Sequence, residues 1–152
     1  MLILVGTSIV SLSQIVFPYQ DIKLENPADF KGTEPMALSA ATFLLSTPFI
    51  EFDKKRAGVL QFLSKWMTGA KNYNFYMEGL LQDLGTDKNL LSLYIAAMAK
   101  YSLENKSESI YPLKVERNAS ITLLIYCDDL KNNFKLKNKY RKLIEDKISE
   151  SK

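Results

Sequence analysis

The chain of 152 residues is 47% apolar and 24% charged, with a formal net charge of +3. That is the composition of one ordinary globular domain, and it excludes low-complexity, disordered and collagen-like classes. Histidine is absent and Cys127 is the single cysteine, which removes Ser-His-Asp and Cys-His catalysis, imidazole-based zinc sites and any internal disulfide.

The first charged side chain is Asp21. Residues 1–13 form an apolar run that ends on Ser11 and Ser13, the small-x-small pattern of a signal-peptidase site. We expect a secretory signal cleaved after Ser13, with its basic start truncated. The run is shorter than the about 20 apolar residues of a membrane span, and no cysteine follows it for lipid attachment. A buried strand or first helix is the other reading of so short an apolar run. Residues 14–32, with Pro18 and Pro27, read as an extended lead-in, in which 26–29 start a short helical turn because proline suits the first helical position.

From residue 33 to 152 the pattern is helical. Thr33 is placed to cap a first helix through residues 36–45, stopped by Thr47 and Pro48. Its Ala and Ser residues would let a neighbour approach closely. A second helix runs from near Asp53 to Gly69, with Val59, Leu63, Trp66 and Met67 on one stripe; Gly69 is expected to close it in a left-handed cap. An aromatic turn at residues 70–76 leads into a short helix over 77–84. Residues 86–89 cap a third long helix, continuing to about Glu104, whose broad apolar face marks it as central. The fourth begins around Pro112 and ends at Cys127, a thiol expected to be buried and inert. The fifth carries Leu136, Tyr140, Leu143, Ile144 and Ile148 against a basic outer face. No alternating apolar pattern or hairpin turn is present. The prediction is an all-α fold: a single compact bundle of about five helices joined by short connections, without a fixed repeat period.

Residues 44–48, Arg56, 66–69, 73–75, Leu90, Leu91 and 94–101 resemble a family of uncharacterised, predicted exported all-helical bacterial proteins, over about residues 40–127. The resemblance implies export and an all-helical fold. It carries no activity, cofactor or catalytic residue, and Asn72 stands where similar sequences have Asp.

One constellation is a candidate site: Arg56, Trp66, Tyr73, Phe75 and Tyr76. A rigid aromatic edge with an arginine beside it forms a shallow surface for a peptide, glycan or apolar ligand; the same aromatics also serve as a hydrophobic plug pinning the turn onto the bundle. Asp128 and Asp129 lack a third hard ligand nearby in sequence and read as a solvated helix end. The tail from residue 131 holds eight Lys or Arg. It reads either as the solvated face of an amphipathic helix or as a contact for an anionic partner. The sequons at Asn105 and Asn118 are chance matches in a chain of bacterial resemblance. No catalytic residue, metal site or cofactor is expected, nor a nucleic-acid partner. The leading reading is a non-enzymatic exported domain with a binding or structural role in the cell envelope, its partner an envelope protein, peptide or glycan. The alternative is a small enzyme using carboxylate or lysine chemistry in a cleft between helices.

Overall fold

The computed structural model describes residues 19–75 and 78–150, and the expected cleavage at Ser13 and the candidate Tyr76 lie outside them. Among the described residues the fold is all-α. Seven α-helices follow a 3-10 turn at Tyr19–Asp21: α1 (Pro27–Gly32), α2 (Glu34–Ser46), α3 (Lys54–Gly69), α4 (Leu80–Asp83), α5 (Lys88–Glu104), α6 (Pro112–Asp128) and α7 (Asn138–Glu150). The five long ones are the five helices expected, except that Leu136, expected in the fifth, precedes the start of α7. Their starts obey local chemistry: Asp53 accepts hydrogen bonds from the amides of Lys55 and Arg56, Asp87 accepts from that of Leu90, and Pro112 occupies the first turn of α6.

The helical turn expected at 26–29 is the start of α1, and the rest of residues 19–32 is less extended than expected. Only the stretch between the 3-10 turn and α1 is non-helical, and Leu24 is buried within it. Asp29 reaches back to accept from the amides of Glu25 and Asn26 at 3.0 and 2.9 Å, so the start of α1 is closed by its own third residue. Thr33 does not cap α2 with its side chain. Its hydroxyl turns back to donate to the Asp29 carbonyl at 2.7 Å, sharing that oxygen with its own amide at 3.0 Å, so Thr33 serves the end of α1 instead.

The core has two lobes. One gathers Leu80, Leu84, Leu90, Tyr94, Leu123, Tyr126, Tyr140 and Ile144 from α4 to α7; the other gathers Ala37, Ala40, Leu44, Val59, Leu63 and Trp66 from α2 and α3. Helix α5 belongs to both, giving Leu93, Ala97 and Met98 to the first and Ala96, Ala99 and Leu103 to the second. The alanines of α2 face those of α5, and this small-residue seam lets the two backbones come close. Among the described residues no helix is long and apolar enough to cross a membrane.

Arg56 is buried, at 7% exposure. Its guanidinium donates to the Leu44 carbonyl and to the Thr47 hydroxyl, both at 2.8 Å, and more weakly to the carbonyls of Thr47 and Pro48. The Thr47 hydroxyl donates to the Phe43 carbonyl, and the Tyr126 hydroxyl to the Thr47 carbonyl. The orphan carbonyls at the end of α2 therefore meet donors from α3 and α6, with the cation at the negative end of the helix dipole. Arg56→Ala is expected to destabilise the fold by about 3 kcal/mol, since it strands buried acceptors. Arg56→Lys recovers part of that loss, because a point charge cannot reproduce the planar fork. Urea denaturation of the two variants checks both statements.

Candidate functional site

The aromatic turn after α3 is built from the helix end outward. The Ala70 amide donates to the Trp66 carbonyl at 2.9 Å and the Tyr73 amide to the Ala70 carbonyl at 3.1 Å, which folds the chain back over α3. Trp66 is fully buried, and its indole N–H donates to the Phe30 carbonyl of α1 at 2.9 Å. The Tyr73 ring lies 5.4 Å from that of Trp66 and stacks on Phe75 at 5.7 Å, while Phe75 meets Trp66 edge-on at 6.1 Å. The structure thus brings together three of the five candidate residues. Trp66 is the buried anchor of the cluster, and Tyr73 and Phe75 are half-buried.

Arg56 is not part of this cluster. It begins α3 whereas Trp66 sits near its end, and ten residues of helix at 1.5 Å each separate them by about 15 Å. Its partners are the carbonyls at the end of α2 described above and the Phe49 ring, 5.7 Å from the guanidinium carbon.

Gly69 does not form a left-handed cap; it is the last residue of α3. A Cβ there would lie 2.1 Å from Phe30 Cζ. The tip of the Phe30 ring rests against the helix end, so any side chain at residue 69 would push that ring away. That approach creates one wall of a groove of about 190 Å³ lined by Glu25, Pro27, Phe30, Lys31, Glu34, Lys71 and Tyr73. A second groove of about 280 Å³ runs between α2, α5 and α6, lined by Leu45, Lys100, Tyr101, Thr122 and Ile125 among others. The charged pair on its rim, Lys100 and Glu104, is joined to itself.

Glu34 is the electrostatic centre of the first groove. Its carboxylate accepts from Lys106 Nζ and from the Tyr73 hydroxyl. Partial burial works to raise its pKa, but the two hydrogen bonds and the Lys106 charge outweigh it and hold the carboxyl below the usual glutamate range. The Tyr73 hydroxyl moves the other way, raised first by burial and then by its bond to the Glu34 carboxylate. At neutral pH the pair is a phenol donating to a carboxylate. Neither is poised to exchange a proton, since a depressed carboxylate is a weak base.

Sequence reasoning missed Phe30, Glu34 and Lys106 as members of this site. Glu34 and Lys106 stand 72 residues apart, and no spacing rule connects them. Among the described residues no group of three His, Cys, Asp or Glu side chains is placed to hold a metal ion. No known protein family, curated protein or solved structure matches the chain.

The depressed Glu34 carboxyl ties stability to pH. Its folded pKa lies below the ordinary value of 4.5, so its contribution is complete above that value and is lost as pH falls through the folded pKa. Glu34→Gln is expected to cost about 1 kcal/mol at pH 7, discounted for the exposure of Lys106. The gap between the two proteins should narrow as pH falls below 4.5 through the folded pKa, as measured by urea denaturation across that range.

Proposed function

We propose that this chain is an exported, non-enzymatic helical domain that binds a peptide segment of a cell-envelope partner in the groove at the aromatic turn. The observation that carries the reading is the groove itself: an apolar floor of Phe30, Pro27 and Tyr73 between lysines (Lys31, Lys71) and carboxylates (Glu25, Glu34). An apolar slot with charges of both signs at its edge suits a short peptide bearing one apolar side chain and flanking charges. The groove is smaller than the roughly 300–1,000 Å³ that encloses a whole small-molecule ligand or cofactor, so it accepts one side chain or one ring. The apolar run at residues 1–13 and the resemblance to exported helical proteins support the exported part of the reading.

The enzymatic alternative asks for ionisable groups that converge on a cleft and remain available there. In the two grooves Glu34 is held by Lys106 and Tyr73, and Lys100 by Glu104. Each of these groups is engaged with a neighbour rather than turned toward a substrate.

A photo-crosslinking amino acid placed at Lys71, an exposed rim position, tests the proposal in cells that express the full chain. A discrete adduct in the envelope fraction is expected, absent with the same probe at Lys142 on the outer face of α7. Tyr73→Ala should reduce the adduct at least about tenfold, the loss of one buried aromatic contact. Absence of any adduct at Lys71, or a protein confined to the cytoplasmic fraction, would sink the proposal.

A further inference from the structure

The opposite end of the α2–α3 pair carries a feature that the groove does not use. Phe52 is 93% exposed and has a φ of 60°. It sits in the turn closed by the Asp53 amide and the Ile50 carbonyl at 3.4 Å, at a position where positive φ favours glycine or asparagine. A bulky residue with positive φ is a backbone outlier that persists only where its surroundings over-determine it. Here they do. Asp53 caps α3, and Arg56, one turn on, grips Thr47 and Pro48 on the other side of the loop. The Phe52 ring adds nothing to the core, so a strained backbone is kept for a side chain that faces outward.

A second loop is fastened beside it. The Phe49 amide donates to the Asn132 carbonyl at 2.7 Å, and the Phe49 and Phe134 rings meet edge-to-face at 5.1 Å. The Asn132 side chain is buried and donates to the Tyr126 carbonyl at 2.9 Å. This second loop projects Leu130 at 95% exposure, and the first adds Ile50 at 59%. Two rigid loops thus hold three apolar side chains out at one end of the bundle.

The charges around these tips have a pattern. Asp128 is paired with Arg141, while Glu51, Asp53 and Asp129 keep their charges, the last two accepting hydrogen bonds from backbone amides. Lys54, Lys131 and Lys135 are exposed beside the tips and make no ion pair among the described residues. With Lys55 and Arg56 beside them, five cations stand against the three remaining carboxylates, so the balance at this end is positive. A second copy of the chain is a poor occupant. A phenylalanine buries at most about 150–250 Å², and the three side chains together fall short of the roughly 800 Å² per partner of a stable interface. Projecting apolar tips ringed by lysines fit instead a surface without fixed shape: the acyl boundary takes the tips and anionic headgroups take the lysines.

We infer that Phe52, Leu130 and Ile50, with Lys54, Lys131 and Lys135, form a peripheral docking surface for an anionic lipid bilayer. This inference uses the end of the molecule away from the aromatic-turn groove and does not depend on that groove being occupied. It is independent of the apolar run at residues 1–13, and the test separates the two.

The full chain carrying Leu130→Cys is labelled with an environment-sensitive nitrobenzoxadiazole probe; the one native thiol, Cys127, is buried with its pKa pushed up to about 12 and stays unlabelled. Vesicles of phosphatidylethanolamine with about one-third phosphatidylglycerol are compared with pure phosphatidylcholine, the charge term following surface potential. On the anionic vesicles the probe emission should shift to the blue and become shielded from dithionite, and 0.5 M salt should weaken the effect severalfold. Phe52→Gly removes the ring and suits the positive φ, so the fold is retained or gains stability while the vesicle affinity drops about tenfold. Lys54→Glu with Lys131→Glu should lower it further with the fold intact. A probe that stays unshifted while the chain sediments with vesicles would place the attachment at residues 1–13 and overturn the inference. Affinity unchanged in Phe52→Gly, or concentration-dependent self-association abolished by Phe52→Gly, would overturn it as well, the last in favour of a second copy.

Discussion

Helix α5 has no solvent-facing stripe of ordinary width, and everything else follows from that constraint. It must bury two opposite faces, so a lobe of the core forms on each side: α4, α6 and α7 close over Leu90, Tyr94 and Met98, and α2 and α3 close over Ala96, Ala99 and Leu103. Neither lobe is complete without it. The two faces differ in kind. Large side chains interdigitate toward α6, whereas alanine meets alanine toward α2, so that distance on the second side is set by backbone approach. Filling that seam with a larger residue would push the helices apart, which close-packed interiors tolerate poorly.

Three polar contacts then fix where the remaining pieces sit, and each joins a backbone group left over at a helix end to a side chain far away in sequence. Arg56 covers the last carbonyls of α2. The Trp66 indole holds α1 through the Phe30 carbonyl. Glu116, only 3% exposed, accepts from the Leu80 amide and so holds the four-residue α4 against α6. Its negative charge, after burial itself, keeps the neighbouring Tyr94 hydroxyl protonated. In a chain with no disulfide these contacts supply orientation that apolar packing alone leaves loose, because a hydrogen bond has direction and hydrophobic burial has none. Both ends of the α2–α3 pair that we assign to binding are by-products of such bolts: Phe30 is presented to the groove by Trp66, and the Phe52 turn is clamped by Arg56.

How much of this was legible in the sequence depends on whether the signal was local. Asp53, Asp87 and Pro112 mark helix starts through contacts within one turn, and the five long helices were readable from them and from their apolar stripes. The start of α1 was legible too, from Pro27 at its first position; the cap at Thr33 was not, because Thr33 chooses between two partners according to whether a helix precedes it. Gly69 was correctly expected at the end of α3 for an incorrect reason. Its need is the approach of Phe30, 39 positions away, rather than a left-handed φ. Of the candidate site, the trio Trp66, Tyr73 and Phe75 is close in sequence and was seen. Glu34 and Lys106 come together only through the crossing of α2 and α5. Arg56 stands apart from the trio because ten residues of helical rise lie between it and Trp66, a separation the spacing in sequence already contains. Phe52 gave no signal, since an exposed strained aromatic looks like any loop residue until its φ is known.

The central claim is that α5 makes the two lobes one cooperative unit, and the chain carries a natural reporter in each. Trp66, the single tryptophan, is buried in the α2–α3 lobe, and Cys127, the single cysteine, in the α4–α7 lobe. Equilibrium urea unfolding followed by Trp66 fluorescence and by the extent of Cys127 labelling in brief thiol pulses gives two transition curves from one sample. If α5 couples the lobes, the curves coincide in midpoint and slope, as two-state unfolding requires. Separate midpoints, with one lobe open while the other stays packed, would contradict the account.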